Sequence, residues 1–223
     1  LGLSGLSSAR WLARYGYAVD VVDSRDAPPG LAARHAELPS VRVRTGGFAP
    51  ALFDDPGLLV LSPGVSLKEP VVAAAVARGV EVVGDVELFA RIAMAPVLAI
   101  TGANGKSTVT SLVGEMCREA GLDTAVGGNI GVPVLDLLRT PEPDVYVLEL
   151  SSFQLETTAS LNAHAATVLN LTPDHLDRYA TPAEYAAAKA RIYRGDGLMV
   201  LNADDPQVMA MVSEQAQVHA PLG

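Results

Sequence analysis

Short apolar segments alternate along the chain with longer segments in which apolar residues recur every three or four positions. The first kind predicts buried parallel strands and the second predicts amphipathic helices packed on them, so their order indicates repeated β–α units and an α/β fold. Strands are predicted at 18–23, 58–62, 80–83, 97–100, 145–150, 166–171 and 198–202. Helices are predicted at 6–15, 71–78, 85–93, 107–120 and 182–193, and no helix is expected after the last strand.

The pattern is interrupted at Ala95-Pro96, because proline cannot continue a helix and restricts the residue before it. We therefore predict a Rossmann-like domain over residues 1–94 and a second parallel-sheet domain over 95–223. The chain opens on Leu1 and a glycine turn, with no strand before it. We expect it to be a fragment that lacks a first strand and the end of the second domain.

Composition narrows the function classes. The 223 residues are 49% hydrophobic, and the net charge of −9 argues against a broad nucleic-acid interface. A compact phosphate site built from backbone N–H groups stays compatible with that charge. The single Cys117 excludes an internal disulfide and favours a reducing compartment, and no apolar run approaches the roughly 18 residues of a membrane span. We expect a cytoplasmic protein without membrane insertion.

The strongest chemical signal is the segment TGANGKST, which lies between a predicted strand and a predicted helix. Glycines let a backbone approach phosphate oxygens, and a helix N-terminus offers them unpaired N–H groups. The lysine can reach the β- and γ-phosphates, and the hydroxyl that follows can bind Mg²⁺. Ile100 stands where the strict P-loop has glycine, so this is a variant loop; a glycine-rich turn with an exposed lysine is the alternative. The candidate ATP-binding residues are Gly102, Ala103, Asn104, Gly105, Lys106, Ser107 and Thr108.

A weaker signal lies at the start of the chain. Gly2 and Gly5 bracket a predicted turn, and Asp23 ends the next strand 21 residues after Gly2. This resembles the nucleotide-binding turn of a Rossmann unit, in which an acidic residue binds a ribose. Arg25 could hold a phosphate or a uracil carbonyl. An ordinary βαβ turn with a solvated arginine explains the pattern equally well.

Three further polar residues are candidates. Glu149 ends a predicted strand, at the sheet edge where ligands gather, and a carboxylate buried there needs a partner such as a metal ion. His175 follows the next predicted strand and could ligate a metal through a neutral ring nitrogen, or lie at the surface beside a capping Asp174. Lys189 alone is typical of a surface lysine on an amphipathic helix.

The segments TGANGKST, GGNIGVP, LELSSFQLE, LNLTPDHLDRY and AAKARIY occur in this order, and with them the chain resembles the Mur ligase family from Leu1 to about Asp205. The opening glycine turn with Asp23-Ser24-Arg25, GGNIG and ELSSFQLE resemble the members that add D-glutamate. The resemblance implies a Rossmann-like UDP-binding domain, a P-loop-containing ATP-binding domain, and a third domain that is absent here.

The resemblance implies ATP-dependent ligation of D-glutamate to UDP-N-acetylmuramoyl-L-alanine through an acyl phosphate, with release of ADP, in peptidoglycan precursor synthesis. It implies a monomer that binds small molecules and two Mg²⁺ ions. Implied catalytic residues are Lys106, Lys189 and His175. Implied Mg²⁺ ligands are Ser107, Glu149, His175 and, if it carries a CO₂-derived carbamate, Lys189. Implied substrate contacts are Leu3, Ser4, Asp23, Ser24, Arg25, Asn129, Ser151 and Gln154.

Two alternatives stay open. A P-loop ATPase or switch with a Rossmann sensor domain would need only a Mg²⁺-binding acid, whereas the ligase needs Glu149, His175 and Lys189. Another ligase of the family, for muramic acid, diaminopimelate or folate substrates, is the closer alternative, and the glycine turn and ELSSFQLE argue against the last two. Because ATP contacts and the D-glutamate site are expected outside the chain, we expect these 223 residues alone to be inactive.

Overall fold

The computed structural model describes residues 1–53, 56–172 and 178–215. Its first part alternates helices and short strands, as the apolar pattern predicts. The helices are α1 (Leu3–Arg14), α2 (Leu31–Glu37), α3 (Pro70–Ala77) and α4 (Asp85–Ala90), with a 3₁₀ turn at Pro50–Phe53. The strands are β1 (Asp20–Asp23), β2 (Arg42–Thr45), β3 (Leu59–Leu61) and β4 (Val82–Gly84).

The second part continues the alternation with longer strands. Its strands are β5 (Val97–Thr101), β6 (Thr124–Gly128), β7 (Val145–Glu149), β8 (Ala165–Val168) and β9 (Leu198–Leu201). Its helices are α5 (Lys106–Glu119), α6 (Ser152–Glu156), α7 (Pro182–Ala190) and α8 (Pro206–Gln215), with 3₁₀ turns at Val134–Leu137 and Arg191–Tyr193. Within the described part of the chain, no helix combines the length and the apolar character needed to cross a membrane.

All the strand pairs are parallel, which confirms the α/β fold. β1 pairs with β2, β3 pairs with β4, and the remaining five form one sheet in the order β6-β7-β5-β8-β9. In register, Ile100 of β5 lies opposite Glu149 of β7, and Thr101 lies opposite Val168 of β8. The carboxyl ends of these three strands therefore meet at one edge of the sheet, where open α/β proteins bind their ligands.

The main core lies around the five-stranded sheet. Every residue of β7 is buried, which is typical of a parallel strand covered on both faces. Helix α4 joins this core, since its Phe89 packs edge-to-face on Tyr146 with ring centroids 4.9 Å apart. Helix α4, which connects the two-stranded sheets to the five-stranded sheet, thus belongs to the core of the five-stranded sheet.

Two expectations about the ends of the pattern are wrong. Helix α1 begins at Leu3, so Gly5 lies inside a helix instead of closing a turn; a Cβ on Gly5 would lie 3.0 Å from the Ser62 hydroxyl, which explains the small residue. A helix, α8, does follow the last strand. It is capped by Asp205, whose Oδ1 accepts from the N–H groups of Gln207 at 2.9 Å and Val208 at 3.2 Å.

The apolar pattern also misses four short elements, α2, β2, β6 and α6. Strand β2 reads Arg-Val-Arg-Thr and is mostly exposed, and β6 ends in two glycines, so neither has the apolar run of a buried strand. Helix α6 has five residues, fewer than two helical turns. Predicted strand 166–171 ends earlier, at Val168, because the residues after it turn toward the loop that follows β5.

Candidate functional site

The loop that follows β5 has the backbone of a phosphate-binding loop. Gly105 precedes α5 with φ 79°, and Gly102 has φ 155°, so both adopt conformations that favour glycine. A Cβ on Gly102 would lie 3.1 Å from the Leu169 Cβ, so a side chain there would require Leu169 to move. No described side chain caps α5. Its first N–H groups are therefore available to an anion, as at other helix N-termini that hold phosphates.

Lys106 closes this loop. Its ammonium group donates to the carbonyl oxygen of Ala103 at 3.0 Å, so the side chain folds over the residues that precede it. A phosphate oxygen in the loop can replace that carbonyl as the partner, and the charged pair is the stronger one. The lysine is thus placed for nucleotide binding without a change of helix position.

The Asn170 side chain holds the loop from the neighbouring strand. Its Oδ1 accepts from the N–H of Asn104 at 2.8 Å, and its Nδ2 donates to the carbonyl of Asn104 at 3.0 Å. Its own carbonyl accepts from the N–H of Ala103 at 3.0 Å. The sequence analysis misses Asn170. The available signal is its place as the first polar residue after β8, at the same sheet edge as the loop.

Glu149 lies beside the loop and is 1% exposed. Ser107 donates to its Oε2 at 2.8 Å, and the side-chain amide of Asn129 donates to its Oε1 at 2.7 Å. The structure therefore joins three residues that the sequence predicts for the site. Gly128 makes this approach possible, because a Cβ there would lie 2.3 Å from the Glu149 carbonyl oxygen.

The surroundings of Glu149 fit a divalent cation. Among residues 1–53, 56–172 and 178–215, no cationic side chain is paired with it. A buried carboxylate needs compensation of its charge. Carboxylate and hydroxyl oxygens are the protein ligands that Mg²⁺ accepts, usually together with phosphate oxygens. Ser107 and Glu149 supply both at the mouth of the loop.

Lys189 is 2% exposed, so the interpretation as a surface lysine is wrong. It lies on the buried face of α7, and its Nζ donates to the Gly102 carbonyl at 2.9 Å and the Thr101 hydroxyl at 3.2 Å. The Tyr185 ring centroid lies 4.8 Å from the same atom. The lysine thus contacts the end of β5 and the first residue of the loop, whereas Lys106 contacts Ala103. Its predicted partner His175 lies outside the described residues.

The described residues contain no metal site made only of protein side chains of the usual ligand types. In the described part of the chain, no three His, Cys, Asp or Glu side chains are grouped for an ion. The Glu149 site instead combines one carboxylate with a hydroxyl, and further ligands would come from a nucleotide. This is the pattern expected when a metal binds together with phosphates.

Ser151 and Gln154 form a capping box at the start of α6. Ser151 Oγ accepts from the N–H of Gln154 at 3.2 Å, and Gln154 Oε1 accepts from the N–H of Ser151 at 3.1 Å. Gln154 is buried. The helix therefore begins three residues after Glu149, at Ser152, with Ser151 as its N-cap. Their spacing, Ser-x-x-Gln, is a helix-start signal that the sequence analysis does not use.

The candidate UDP residues lie at the first sheet and at the start of α1. Arg25 binds the buried Asp23 carboxylate through Nε at 2.9 Å and Nη2 at 2.7 Å, and its own side chain stays 53% exposed. The Arg25 hydrogen bond is the main reason that the pKa of Asp23 lies well below its usual range. Ser24 between them is exposed, and Leu3 and Ser4 form the first turn of α1.

Arg178 is a second residue that the sequence analysis misses. Its guanidinium donates to Glu156 at 2.7 Å and to the carbonyls of Pro63 and Val65 at 3.4 and 3.3 Å. It also lies 4.5 Å from the Phe153 ring centroid. The residue ties the loop after β3 to α6. Its place in the segment DHLDRY is the only sequence signal for it.

Comparisons with known proteins relate both parts of the chain to one family. Residues 100–221 match the family model described as the Mur ligase middle domain, and residues 1–84 match the Mur ligase MurD-like N-terminal domain. A UDP-N-acetylmuramoylalanine–D-glutamate ligase from Nitrosococcus oceani is 57% identical over 99% of this chain and 48% of its own length. One of the same name from Methylobacillus flagellatus is 60% identical over 96% of this chain and 48% of its own length. The chain thus spans about half the length of the curated relatives it matches.

Solved structures show the same fold at low sequence identity. A UDP-N-acetylmuramate:L-alanyl-γ-D-glutamyl-meso-diaminopimelate ligase from Neisseria meningitides has a TM-score of 0.62 and 19% identity, over 96% of this chain and 72% of that chain. A UDP-N-acetylmuramate-alanine ligase from Thermotoga maritima has a TM-score of 0.53 and 21% identity, over 94% of this chain and 50% of that chain. At these identities the likeness concerns the fold alone.

Proposed function

Because the chain belongs to the Mur ligase family, we propose that it is the UDP-substrate-binding and ATP-binding part of an enzyme that joins D-glutamate to UDP-N-acetylmuramoyl-L-alanine. In this proposal ATP is cleaved to ADP and phosphate as the carbon–nitrogen bond forms. The identity of 57% and 60% to curated D-glutamate ligases supports the substrate pair. The observation that carries the nucleotide part is the 2.8 Å hydrogen bond from Ser107 to the buried Glu149 beside the loop.

The proposal divides the chain at the connection between α4 and β5. Residues 1–94 bind the UDP end of the substrate, with Asp23, Ser24 and Arg25 after β1. Residues 95–223 bind ATP on the loop after β5. The position of Pro96 between a helix and a strand supports this division.

The chemistry asks the protein for positioning and for neutralisation of charge. A carboxylate is a poor acyl donor, and its phosphorylation creates a leaving group that the D-glutamate amine can displace. Lys106 exchanges its bond to the Ala103 carbonyl for a bond to the γ-phosphate and so offsets the repulsion between two anions. Ser107 and Glu149 would hold the first Mg²⁺ ion. Mg²⁺ neutralises charge on the transferred phosphoryl group.

Lys189 and His175 are proposed to hold a second Mg²⁺ ion, with Lys189 as its carbamate. Carbamylation would turn the ammonium group into an N–H that carries a carboxylate, so Nζ would keep one donor for the Gly102 carbonyl, which lies 2.9 Å away, and would gain an anionic acceptor for the ion. The position of Lys189 supports this role, because it is buried and its Nζ lies 2.9 Å from the Gly102 carbonyl in the loop.

The test is phosphate release by the full-length protein with ATP, Mg²⁺, UDP-N-acetylmuramoyl-L-alanine and D-glutamate, each left out in turn. Release that requires the UDP substrate and D-glutamate, but does not occur with L-glutamate or diaminopimelate, is the expected result. Lys106→Ala should lower it by orders of magnitude, since the lysine neutralises the transferred phosphoryl group. Phosphate release without any amino acid would favour an ATPase or switch instead. Phosphate release only with another amino acid would show that the enzyme uses that amino acid in place of D-glutamate.

A further inference from the structure

Two side chains in the turn after β9 hold the segment that follows β8. The Asn202 side-chain amide donates to the carbonyl of Leu169 at 2.8 Å, and Asp205 Oδ2 accepts from the N–H of Leu171 at 2.8 Å. The pairing of β8 with β9 ends one residue before Leu169. The two side chains therefore supply hydrogen bonds where the strand pairing no longer does, and the backbone groups of the segment stay satisfied.

The segment that they hold, residues 169–171, is the one that supports the loop after β5. Asn170 bonds the N–H and the carbonyl of Asn104 with its side chain, and its own carbonyl accepts from the N–H of Ala103. The N–H of Leu169 donates to the carbonyl of Thr101 at 2.9 Å. Hydrogen bonds thus connect the loop after β5, residues 169–171 and the turn after β9 in the order in which the three strands lie in the sheet.

Asp205 does more than cap α8. Its Oδ1 accepts from the N–H groups of Gln207 and Val208, and a single acceptor oxygen is enough for that, since serine and threonine also cap helices. Its Oδ2 is the atom that accepts from Leu171. Burial works to raise the pKa of Asp205, but the N–H groups of Leu171, Val208 and Gln207 outweigh it and lower the pKa. The charged form is thus the one that holds both elements, and bonds to a charged acceptor are the stronger ones.

The opposite edge of the sheet has a similar tie between the same two strands. Asn162 Nδ2 donates to Asp196 Oδ1 at 2.7 Å, and Asn162 Oδ1 accepts from the N–H of Asp196 at 3.2 Å. This pair joins the turns before β8 and β9, at the amino ends of the strands. It therefore offers a comparison in which the same strands are tied together away from the loop after β5.

We infer that Asn202 and Asp205 are positioning residues for nucleotide binding, which act on the loop after β5 through Asn170. The inference rests on the proposed function, which places ATP on that loop. Backbone N–H groups bind a phosphate well only when they converge on it, so a shift of residues 169–171 would spoil the geometry of the loop. ATP binding thus depends on a turn that lies beyond β8 in the sheet.

The variant Asp205→Ser separates this role from the capping of α8. Serine keeps one oxygen that can cap the helix, but it leaves the N–H of Leu171 without its acceptor. We expect the Kd for a non-hydrolysable ATP analogue with Mg²⁺ to rise about tenfold, or about 1.4 kcal/mol. The Kd for UDP-N-acetylmuramoyl-L-alanine should stay at the wild-type value. In turnover the KM for ATP should rise with the Kd, while the kcat at saturating ATP stays close to that of the wild type.

The experiment is isothermal titration calorimetry of the full-length protein with each ligand alone. Asn170→Ala and the double variant complete a cycle: if Asp205 acts through Asn170, adding Asp205→Ser to Asn170→Ala should weaken binding of the ATP analogue little further. Asn202→Ala is an independent variant, because it removes only the other tie to residues 169–171 and should also weaken the ATP analogue. Asn162→Ala is the matched control, which should lower the thermal midpoint and leave both Kd values unchanged.

Hydrogen exchange of the ligand-free full-length protein tests the positioning directly. The N–H groups of Ala103 and Asn104 are held by Asn170, so they should exchange faster in Asp205→Ser than in the wild type. Asn162→Ala should leave their exchange unchanged.

The outcomes are distinguishable. A wild-type Kd for the ATP analogue in Asp205→Ser, equal weakening of both ligands, additive effects in the cycle, or unchanged exchange at Ala103 and Asn104 would overturn the inference and leave the proposed function standing. Failure of the wild-type protein to bind the ATP analogue would overturn both. If Asp205→Ser does not fold, Asn202→Ala decides by the same measurements, and a wild-type Kd for the ATP analogue in that variant refutes the inference.

Discussion

Replacement of Glu87 by glutamine should remove a large share of the chain's stability. Glu87 accepts from the N–H groups of Ala159 and Ser160, from the Ser160 hydroxyl and from Arg91. These partners join α4 to the turn before β8, 72 residues further along the chain. Glutamine keeps one acceptor oxygen, but its NH₂ group has to face donors, so buried N–H groups lose their partner.

The magnitude follows from the titration of the carboxyl group. Burial works to raise the pKa of Glu87, but the hydrogen bonds from Ala159, Ser160 and Arg91 outweigh it and lower the pKa from 4.5 to about 2. At about 1.36 kcal/mol per pKa unit, the ionised side chain stabilises the native state by about 3 kcal/mol. Because the folded-state pKa is the lower one, this stabilisation is complete above about pH 4.5 and is lost as the pH falls toward about 2.

The assay is urea unfolding of the wild-type chain and Glu87→Gln, followed by circular dichroism at several pH values. At pH 7 the variant should be less stable by about 3 kcal/mol, and the difference should shrink steadily below about pH 4.5. A difference below about 1 kcal/mol at pH 7 would show that the network does not couple α4 to the turn. A large difference that does not depend on pH would refute the assignment of the effect to the charge.

Three further predictions concern the loop and its neighbours in the full-length protein. Glu149→Gln should lower phosphate release at least about 100-fold, since loss of a ligand-orienting partner alone costs about 10- to 100-fold; an unchanged dependence of the rate on Mg²⁺ would contradict this. Lys189→Ala should abolish turnover, with partial recovery when a small carboxylic acid is added, and near-normal rates would remove the residue from the site. Gly128→Ala should lower the free energy of unfolding by more than about 2 kcal/mol, because a Cβ there would lie 2.3 Å from the Glu149 carbonyl oxygen. Gly131→Ala should lower it by only about 1 kcal/mol, because Gly131 has a positive φ but open space around it; thermal unfolding compares the two variants.

The parts of the fold that the sequence predicts are those with a strong local pattern. The strand and helix around the loop after β5 have an apolar run, glycines and an amphipathic stretch in immediate succession. Parallel pairing then brings Glu149 to the same sheet edge as Ser107, although 42 residues separate them. This step needs only the general rule that parallel strands end at one edge.

The parts that the sequence does not predict depend on distant partners. Asn170 and Arg178 look like ordinary loop residues, and only the folded chain brings Asn170 to the loop after β5 and Arg178 to Pro63 and Val65. The buried state of Lys189 is likewise set by packing, because an alanine-rich helix has no polar face that marks its exposed side. Short elements such as α6 are not predicted for a different reason, because five residues are too few to show a periodic pattern of apolar positions.

The two buried carboxylates of α4 differ in how fully they are hydrogen-bonded. Residues two positions apart on a helix point in directions that differ by about 200°, so Asp85 and Glu87 face nearly opposite sides. Glu87 faces the turn before β8 and is saturated with donors, which makes it a source of stability. Asp85 accepts only from the Val86 N–H among the described residues and leaves one carboxylate oxygen without a partner, which costs stability. Urea unfolding should therefore distinguish the two positions. Glu87→Gln should destabilise the fold strongly, whereas Asp85→Asn should destabilise it less, because asparagine keeps an acceptor for the Val86 N–H and loses no other hydrogen bond in the described part of the chain. An equal loss of stability in both variants would contradict this difference.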